Sequence, residues 1–382
     1  MRIGILTHPL HGNYGGMLQA FALCQVLRTL QHEPVLFQYR KPQKSPNVYI
    51  RSALRRLALW LCRQGNIYTE RINPIGKQNY FMALDFETKY IGSVEYMPPC
   101  NNSEEAPLYS KSSGFDCFIV GSDQVWRCLY VRDLRTVPFF FLRFFPESLR
   151  RKSIAYAASF GSDQWEGTPE ETSICKKLLQ QFKSVSVREH SGISLCQEVF
   201  DTPAEQMPDP TLLLHPSDYE QQIIKREKTI GHKRPFIASY ILDENEETQR
   251  ALQFIAKQLN LPYQNLMPHT EAHQRKDRFV NNVAQWLRYF RDADFIVTDS
   301  FHGCVFSIIF NKPFICFGNH SRGSARFDSL LGTFDLKERL ISPSNETALS
   351  HLLQSPIDWA RIKSIHDAER TRGLRFLQDN LN

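Results

Sequence analysis

The chain has 382 residues, long for one hydrophobic core and suited to two domains. A 42% hydrophobic content with 12% aromatics excludes a disordered chain. The formal charge of +6 agrees with anionic ligands or an acidic membrane surface, but no basic run alternates with aromatics, which argues against a nucleic-acid groove.

The nine Cys are irregularly spaced, with no CxxC pair, and most lie in apolar contexts, such as Cys24, Cys117, Cys304 and Cys316. They predict buried, reduced thiols rather than a disulfide framework or zinc site. The start, MRIGILTHPLHG, runs straight into a strand and a glycine turn without a signal-peptide cleavage pattern, so a cytoplasmic protein is expected. The most apolar window, 137–145, is too short to span a bilayer and contains Arg143.

Taken in order, residues 3–7 predict a short strand, and the glycine-rich turn His11-Gly12-Asn13-Tyr14-Gly15-Gly16 follows. Residues 17–30 then carry apolar side chains mostly three or four apart, which predicts a helix with one buried face. With a strand at 35–39 the chain opens β-loop-α-β, the start of a doubly wound sheet. The turn HGNYGG lacks both GxGxxG and the P-loop lysine, so neither nucleotide fingerprint applies. Its glycines either admit a ligand close to the backbone or merely supply a turn with positive φ.

Residues 51–63, RSALRRLALWLCR, form a basic amphipathic stretch. A helix lying on its own domain with a solvated rim is favoured over contact with anionic lipid heads, because soluble helices commonly show this pattern. A strand at 115–120 ends in Gly121-Ser122-Asp123-Gln124-Val125-Trp126. Asp123 suits sugar hydroxyls and Trp126 a sugar ring, although by itself the segment slightly favours an Asx turn with a core Trp. Strands at 153–159 and 184–187 bracket a helix near 170–182. Arg188-Glu189 ends the second of them, where an Arg either grips a carboxylate or phosphate bidentately or forms a weak surface ion pair.

After the run 211–214, residues 215–234 are polar and read as an inter-domain linker. A second series follows: strand 236–242, helix 246–259, strand 263–267, helix 283–291 and strand 295–298. This last strand ends at Asp299-Ser300-Phe301-His302-Gly303, before a helix at 304–310 and a strand at 314–317. Polar residues at the C-terminal end of such a strand lie where open α/β sheets bind ligands, and a helix start suits an anion. His302 stands there, and histidine is a residue type suited to carrying a proton beside a charged ligand. Arg322 and Arg326 lie near the same edge if the second sheet is parallel. No HExxH, GxSxG or clustered-acid pattern is present, which favours metal-independent chemistry.

These pieces together resemble the polysaccharide pyruvyl transferase family: GILTHPLHGNYGGMLQAFAL, DCFIVGSDQVW, SIAYAASFG, SVSVREHSG, PDPTLLL, WLRYFRDADFIVTDSFHG, NKPFICFGN and SRGSARFDSLLG, in this order. The resemblance implies an α/β chain of two Rossmann-like domains facing across a cleft, GT-B-like. The domains are placed at 1–215 (acceptor side) and 216–360 (donor side), with a C-terminal helix at 361–382 packing back on the first.

The implied reaction moves a pyruvyl group from phosphoenolpyruvate to two hydroxyls of one sugar, in a cell-surface polysaccharide or its lipid-linked precursor, giving a cyclic ketal. No cofactor or metal is implied. Peripheral contact with the inner membrane face would follow from a lipid-linked acceptor. The family's His and Arg fall on His302 and Arg188. Arg188, Ser300, His302, Gly303, Arg322 and Arg326 are expected on the donor side, and Asn13, Tyr14, Gly15, Gly16 and Asp123 on the acceptor side. A nucleotide-sugar glycosyltransferase and a non-catalytic glycan-binding homologue are the competing readings.

Overall fold

A computed structural model describes residues 1–39, 74–97, 114–132, 136–228, 231, 234–267, 281–318 and 325–381. The basic stretch at 51–63 and Arg322 lie outside the described residues.

The first half runs β1 (Arg2–Leu6), α1 (Tyr14–Thr29), β2 (Glu33–Tyr39), α2 (Pro74–Phe86), β3 (Val94–Met97), β4 (Cys117–Val120), α3 (Cys128–Arg132), α4 (Glu147–Arg150), β5 (Ile154–Ala158), α5 (Pro169–Leu179), β6 (Ser184–Val187), α6 (His190–Glu198) and β7 (Glu205–Gln206). After α7 (Pro216–Gln222), the second half runs β8 (Ile237–Tyr240), α8 (Glu246–Leu259), β9 (Tyr263–Asn265), α9 (Val283–Asp292), β10 (Phe295–Thr298), α10 (Phe301–Ile309), β11 (Phe314–Phe317), α11 (Ala325–Thr333), β12 (Leu340–Ile341), α12 (Glu346–Gln354) and α13 (Trp359–Asn380).

The strands form two sheets, of seven and five strands among the described residues, in the orders β3-β2-β1-β4-β5-β6-β7 and β12-β11-β10-β8-β9. Every strand pairing is parallel. The central strands β1, β4, β5 and β10 are buried almost throughout, as their unbroken apolar runs require when helices cover both faces. In each sheet the order reverses beside the first strand, between β1 and β4 and between β8 and β10. Loops after those strands splay apart there and leave a crevice.

Helix ends follow local chemistry. Thr168 caps α5 in a reciprocal box with Glu171, ahead of Pro169. Asn13 caps α1 through its side chain to the Gly16 amide, so Tyr14, Gly15 and Gly16 are the helix's first turn rather than a loop before it. Neither Gly15 nor Gly16 has a positive φ.

One hydrophobic core joins both sheets. Tyr219 of α7 lies between Phe21 of α1 and Phe306 of α10, with ring centroids 6.3 and 5.1 Å away. Residues 215–234, expected as a plain linker, therefore contribute buried Tyr219, Ile223 and Ile224 to that core. Helix α13 lies against the first sheet: His366 Nε2 meets the Leu212 carbonyl at 2.8 Å, Arg370 donates to the Leu213 carbonyl at 2.8 Å, and Phe376 packs on Tyr156 at 5.9 Å. Cys24, Cys117, Cys128, Cys175, Cys196, Cys304 and Cys316 are buried and unpaired. No helix among the described residues is long and apolar enough to cross a membrane.

Candidate active site

A cavity of about 430 Å³ opens between the two switch points. The loops after β1 and β4 supply His8, His11, Asn13, Asp123 and Gln124, and α3 supplies Tyr130. The second sheet supplies Leu242 after β8, Asp299, Ser300, Phe301 and His302 after β10, and Arg326 and Phe327 from α11.

The β10 turn is held by its own short polar side chains. Asp299 accepts the Leu242 and Asp243 amides at 2.6 and 2.9 Å, which fastens the β8 loop to it. Ser300 is the cap of α10 and accepts the Gly303 amide at 3.4 Å. Gly303 is also closed in from behind, since a Cβ there would lie 2.1 Å from Thr298 Oγ1. Ser300 and Gly303 therefore shape the helix start. His302 lies within the first turn of α10, which begins at Phe301, three residues earlier than expected.

Behind the cavity sits Asp209, whose side chain is fully buried. Its Oδ1 accepts the Thr211 amide at 3.0 Å and hydroxyl at 2.7 Å. Its Oδ2 accepts the Ser122 hydroxyl at 2.9 Å and Arg188 Nη1 at 2.8 Å, and lies 3.6 Å from His302 Nε2. Burial alone would raise the Asp209 carboxyl, but His302, Arg188 and the Thr211 amide outweigh it and hold it far below the usual carboxylate range. One ionised carboxylate thus bonds an arginine of the first sheet and lies close to, though beyond hydrogen-bond distance of, a histidine of the second.

Arg188 is 3% exposed and directly follows β6, with Nη2 4.0 Å from Asp123. Glu189 is not its partner. That carboxylate accepts the Ser159 hydroxyl and the Phe160 and Gly161 amides, so the alternative reading as a surface ion pair does not hold. Arg188 and Arg326 both lie against the Phe301 ring, 4.6 and 5.5 Å from its centroid. Burial, and then repulsion from Arg188, push the Arg326 guanidinium down to about 10, still protonated at neutral pH.

The glycine turn meets His302 across the cleft. A Cβ on Gly15 would lie 2.0 Å from His302 Nδ1, so the imidazole occupies the space a side chain would need. Close approach, not positive φ, is what the glycine supplies. Asn13 is exposed at the cavity's rim, and Gly16 lies beside Asn13 and Asp123.

Tyr14 departs from the acceptor-side expectation. Its ring is 3% exposed and stacks on Trp286 at 5.2 Å, and its hydroxyl donates to the Asn281 carbonyl at 2.7 Å. It fastens the first sheet's turn to the second sheet and is closed to a ligand. Trp126 is likewise a core residue, 1% exposed and stacked on Phe141 at 5.1 Å, so it cannot face a sugar.

Asp123 holds φ at +91°, a left-handed value rare for a non-glycine residue. Bonds from Ser159 N and Val125 N to its carbonyl keep it there, at 3.0 and 2.8 Å. Burial pushes its carboxyl up, but His8, Arg188 and His302 pull it below its ordinary value.

His302, Arg188, Asp123 and Arg326 thus converge from four separate segments. Sequence reasoning assigned nothing to Asp209, His8 or Tyr130. The Pro208-Asp209-Pro210 run was visible, but nothing local to it tells that its carboxylate reaches two residues from distant loops.

Known proteins share this architecture. The chain superimposes on the spinosyn forosaminyltransferase SpnP with a TM-score of 0.52 at 12% identity, over 100% of this chain and 98% of that one. A protein described as a UDP-N-acetylglucosamine 2-epimerase from Listeria monocytogenes gives 0.50 at 11% identity, over 97% and 90%. At such identities the likeness shows the fold alone, two Rossmann-like domains in a GT-B-like arrangement. No curated protein sequence matches the chain. The family model for polysaccharide pyruvyl transferases matches residues 13–321, from the glycine turn through the His302 helix to the loop after β11, and the chain belongs to that family.

Proposed function

We propose that the protein transfers a pyruvyl group from phosphoenolpyruvate to two hydroxyls of a sugar in a cell-surface glycan or its lipid-linked precursor, closing a cyclic ketal and releasing phosphate. The observation that carries the reading is the Asp209 carboxylate, which meets Arg188 Nη1 at 2.8 Å and His302 Nε2 at 3.6 Å behind a cavity that Arg326 also lines. A donor bearing both carboxylate and phosphate needs cations arranged around a proton carrier.

In this reading Arg188 and Arg326 hold the donor's anionic groups, with Arg322 as a third cation. The amides at the start of α10 add donors for phosphate. His302, close to Asp209, gives a proton to the methylene carbon of the enol phosphate. The adjacent carbon becomes electrophilic, and a sugar hydroxyl held near Asn13 and Asp123 adds to it. The carbon–oxygen bond to phosphate then breaks, and the second hydroxyl closes the ring. The donor carries its own leaving group, so the chemistry calls for no cofactor.

Thermal shift with phosphoenolpyruvate and with uridine diphosphate, followed by phosphate release with a panel of glycosides, tests this. Stabilisation by phosphoenolpyruvate and acceptor-dependent phosphate release are expected. Stabilisation by the nucleotide alone would instead point to a nucleotide-sugar glycosyltransferase. Donor binding without phosphate release on any glycan would leave a non-catalytic binding protein.

A further inference from the structure

The reaction proposed above moves more protons than one histidine handles at once. A proton must reach the methylene carbon as another leaves the attacking hydroxyl. His302 serves the first task on the second sheet's wall, which leaves the second task to the first sheet's wall.

His8 stands there. It follows β1 by two residues, and Asp123 follows the neighbouring strand β4 by three. Leu6 and Val120 are paired in the parallel ladder, so the two loops leave the sheet side by side. Thr7 Oγ1 ties them together by donating to the Ser122 carbonyl at 2.7 Å, and Gln19 of α1 donates to Thr7 Oγ1 at 3.0 Å. The Phe140 ring meets the His8 imidazole edge-on at 5.4 Å and sets its plane.

His8 is only 9% exposed, yet it lines the cavity, and its buried Nε2 has no hydrogen-bond partner among the described residues. Buried ring nitrogens ordinarily find a partner, so an unmatched one at a cavity wall marks a place for a ligand group. Its charged neighbour is the Asp123 carboxylate, held in a backbone conformation that a non-glycine residue rarely adopts.

We propose that His8, backed by Asp123, is a second catalytic residue: the base that takes the proton from the sugar hydroxyl attacking the donor. This rests on the pyruvyl-transfer reading. In the first step the acceptor O–H bond breaks as its oxygen bonds to the central carbon. The electron pair of the carbon–carbon double bond takes up the proton from His302 and makes a methyl group. The hydroxyl proton passes to the His8 imidazole, and Asp123 stabilises the imidazolium that forms. In the second step the bond to phosphate breaks. The second hydroxyl's oxygen bonds to the same carbon, and its proton leaves with phosphate as hydrogen phosphate. Transfer of the proton on His8 through solvent to His302 restores both groups. One donor and one diol have then become one ketal and one phosphate.

The test is His8→Ala, assayed by phosphate release from phosphoenolpyruvate with p-nitrophenyl hexopyranosides as acceptors, with and without added imidazole. A loss in kcat on the order of 10²–10⁴-fold is expected, as for removal of a general base. The thermal shift with phosphoenolpyruvate should persist, and imidazole should restore turnover. Wild-type turnover by His8→Ala overturns the assignment. So does a loss that imidazole leaves untouched while His8→Gln recovers it, because a packing role behaves that way. If the unaltered protein releases no phosphate with any acceptor, the pyruvyl-transfer reading itself falls, and that result is distinct from failure of His8 alone.

Discussion

The two walls of the cleft are built differently. The second sheet's wall is mostly one run of sequence, Asp299 to His302, capped by its own serine and carried on one helix. The first sheet's wall comes from loops after separate strands, which bring His8 and Asp123 to the cavity and Arg188 and Asp209 directly behind it. The compact wall depends on local hydrogen bonds and the helix start. The dispersed wall depends on strand order and on one buried carboxylate. Damage to the dispersed wall should therefore cost stability as well as activity, whereas damage to the compact wall should cost activity first.

The largest effect is expected at Asp209, where the walls meet. Asp209→Asn takes from buried Arg188 its nearer counter-ion and leaves only Asp123 at 4.0 Å, which should cost up to about 3–5 kcal/mol of stability and most of the activity. Denaturant unfolding and phosphate release measure both. The acid limb gives a second readout. The folded carboxyl lies below its unfolded value of roughly 3.9, so its contribution is full above that pH and declines as pH falls toward the folded value. Melting temperature should fall more steeply on acidification below about pH 4 in the unaltered protein than in Asp209→Asn. Equal slopes would show that the carboxylate is not held ionised.

His302→Ala sits on the compact wall. It should lose about 10²–10⁴-fold in kcat with little change in melting temperature. Turnover at the wild-type rate would remove its proton-carrying role.

Gly15→Ala probes the contact between the walls. The added methyl would lie 2.0 Å from His302 Nδ1, so either the imidazole or the turn must shift. Displacement of a reacting group by about 1 Å costs on the order of 10²-fold, and kcat should show it. Unchanged kinetics would mean the imidazole position is not critical.

Arg326→Met should separate binding from stability. Arg326 is buried and lines the cavity, so the apolar replacement should weaken phosphoenolpyruvate binding, read as a smaller donor-induced thermal shift relative to the variant's own unliganded melt. The smallest effect is expected at Tyr14→Phe, which removes only the hydrogen bond to the Asn281 carbonyl, worth about 1 kcal/mol. Stacking on Trp286 would remain, and chemical denaturation resolves a change of that size.

Much of this was legible in the chain. Phe295–Thr298 is a short apolar run and Ser184–Val187 alternates Ser with Val, and polar residues end both, so period and punctuation locate them. Arg188 was legible because it directly follows such a strand, and His302 because it lies four residues beyond one, where a polar turn leads into a helix. Tyr14 misled because an aromatic in a polar turn looks the same whether it meets a ligand or a neighbouring helix, whereas for Trp126 the favoured reading, a core residue, holds. Burial settled both, one against the second sheet and one beneath the first.

By itself the order of residues determines what depends on neighbours a few positions away: parallel α/β units, helix caps at Asn13 and Ser300, and polar residues at strand ends. Which strand ends become neighbours is a matter of sheet order, and sheet order follows from packing helices on both faces of each sheet. Only that packing set His8 beside Asp123, Gly15 beneath His302, and Asp209 between Arg188 and His302. An ionised carboxylate persists in that dry interior because cations and hydroxyls from distant parts of the chain surround it, a condition that no stretch of sequence contains alone.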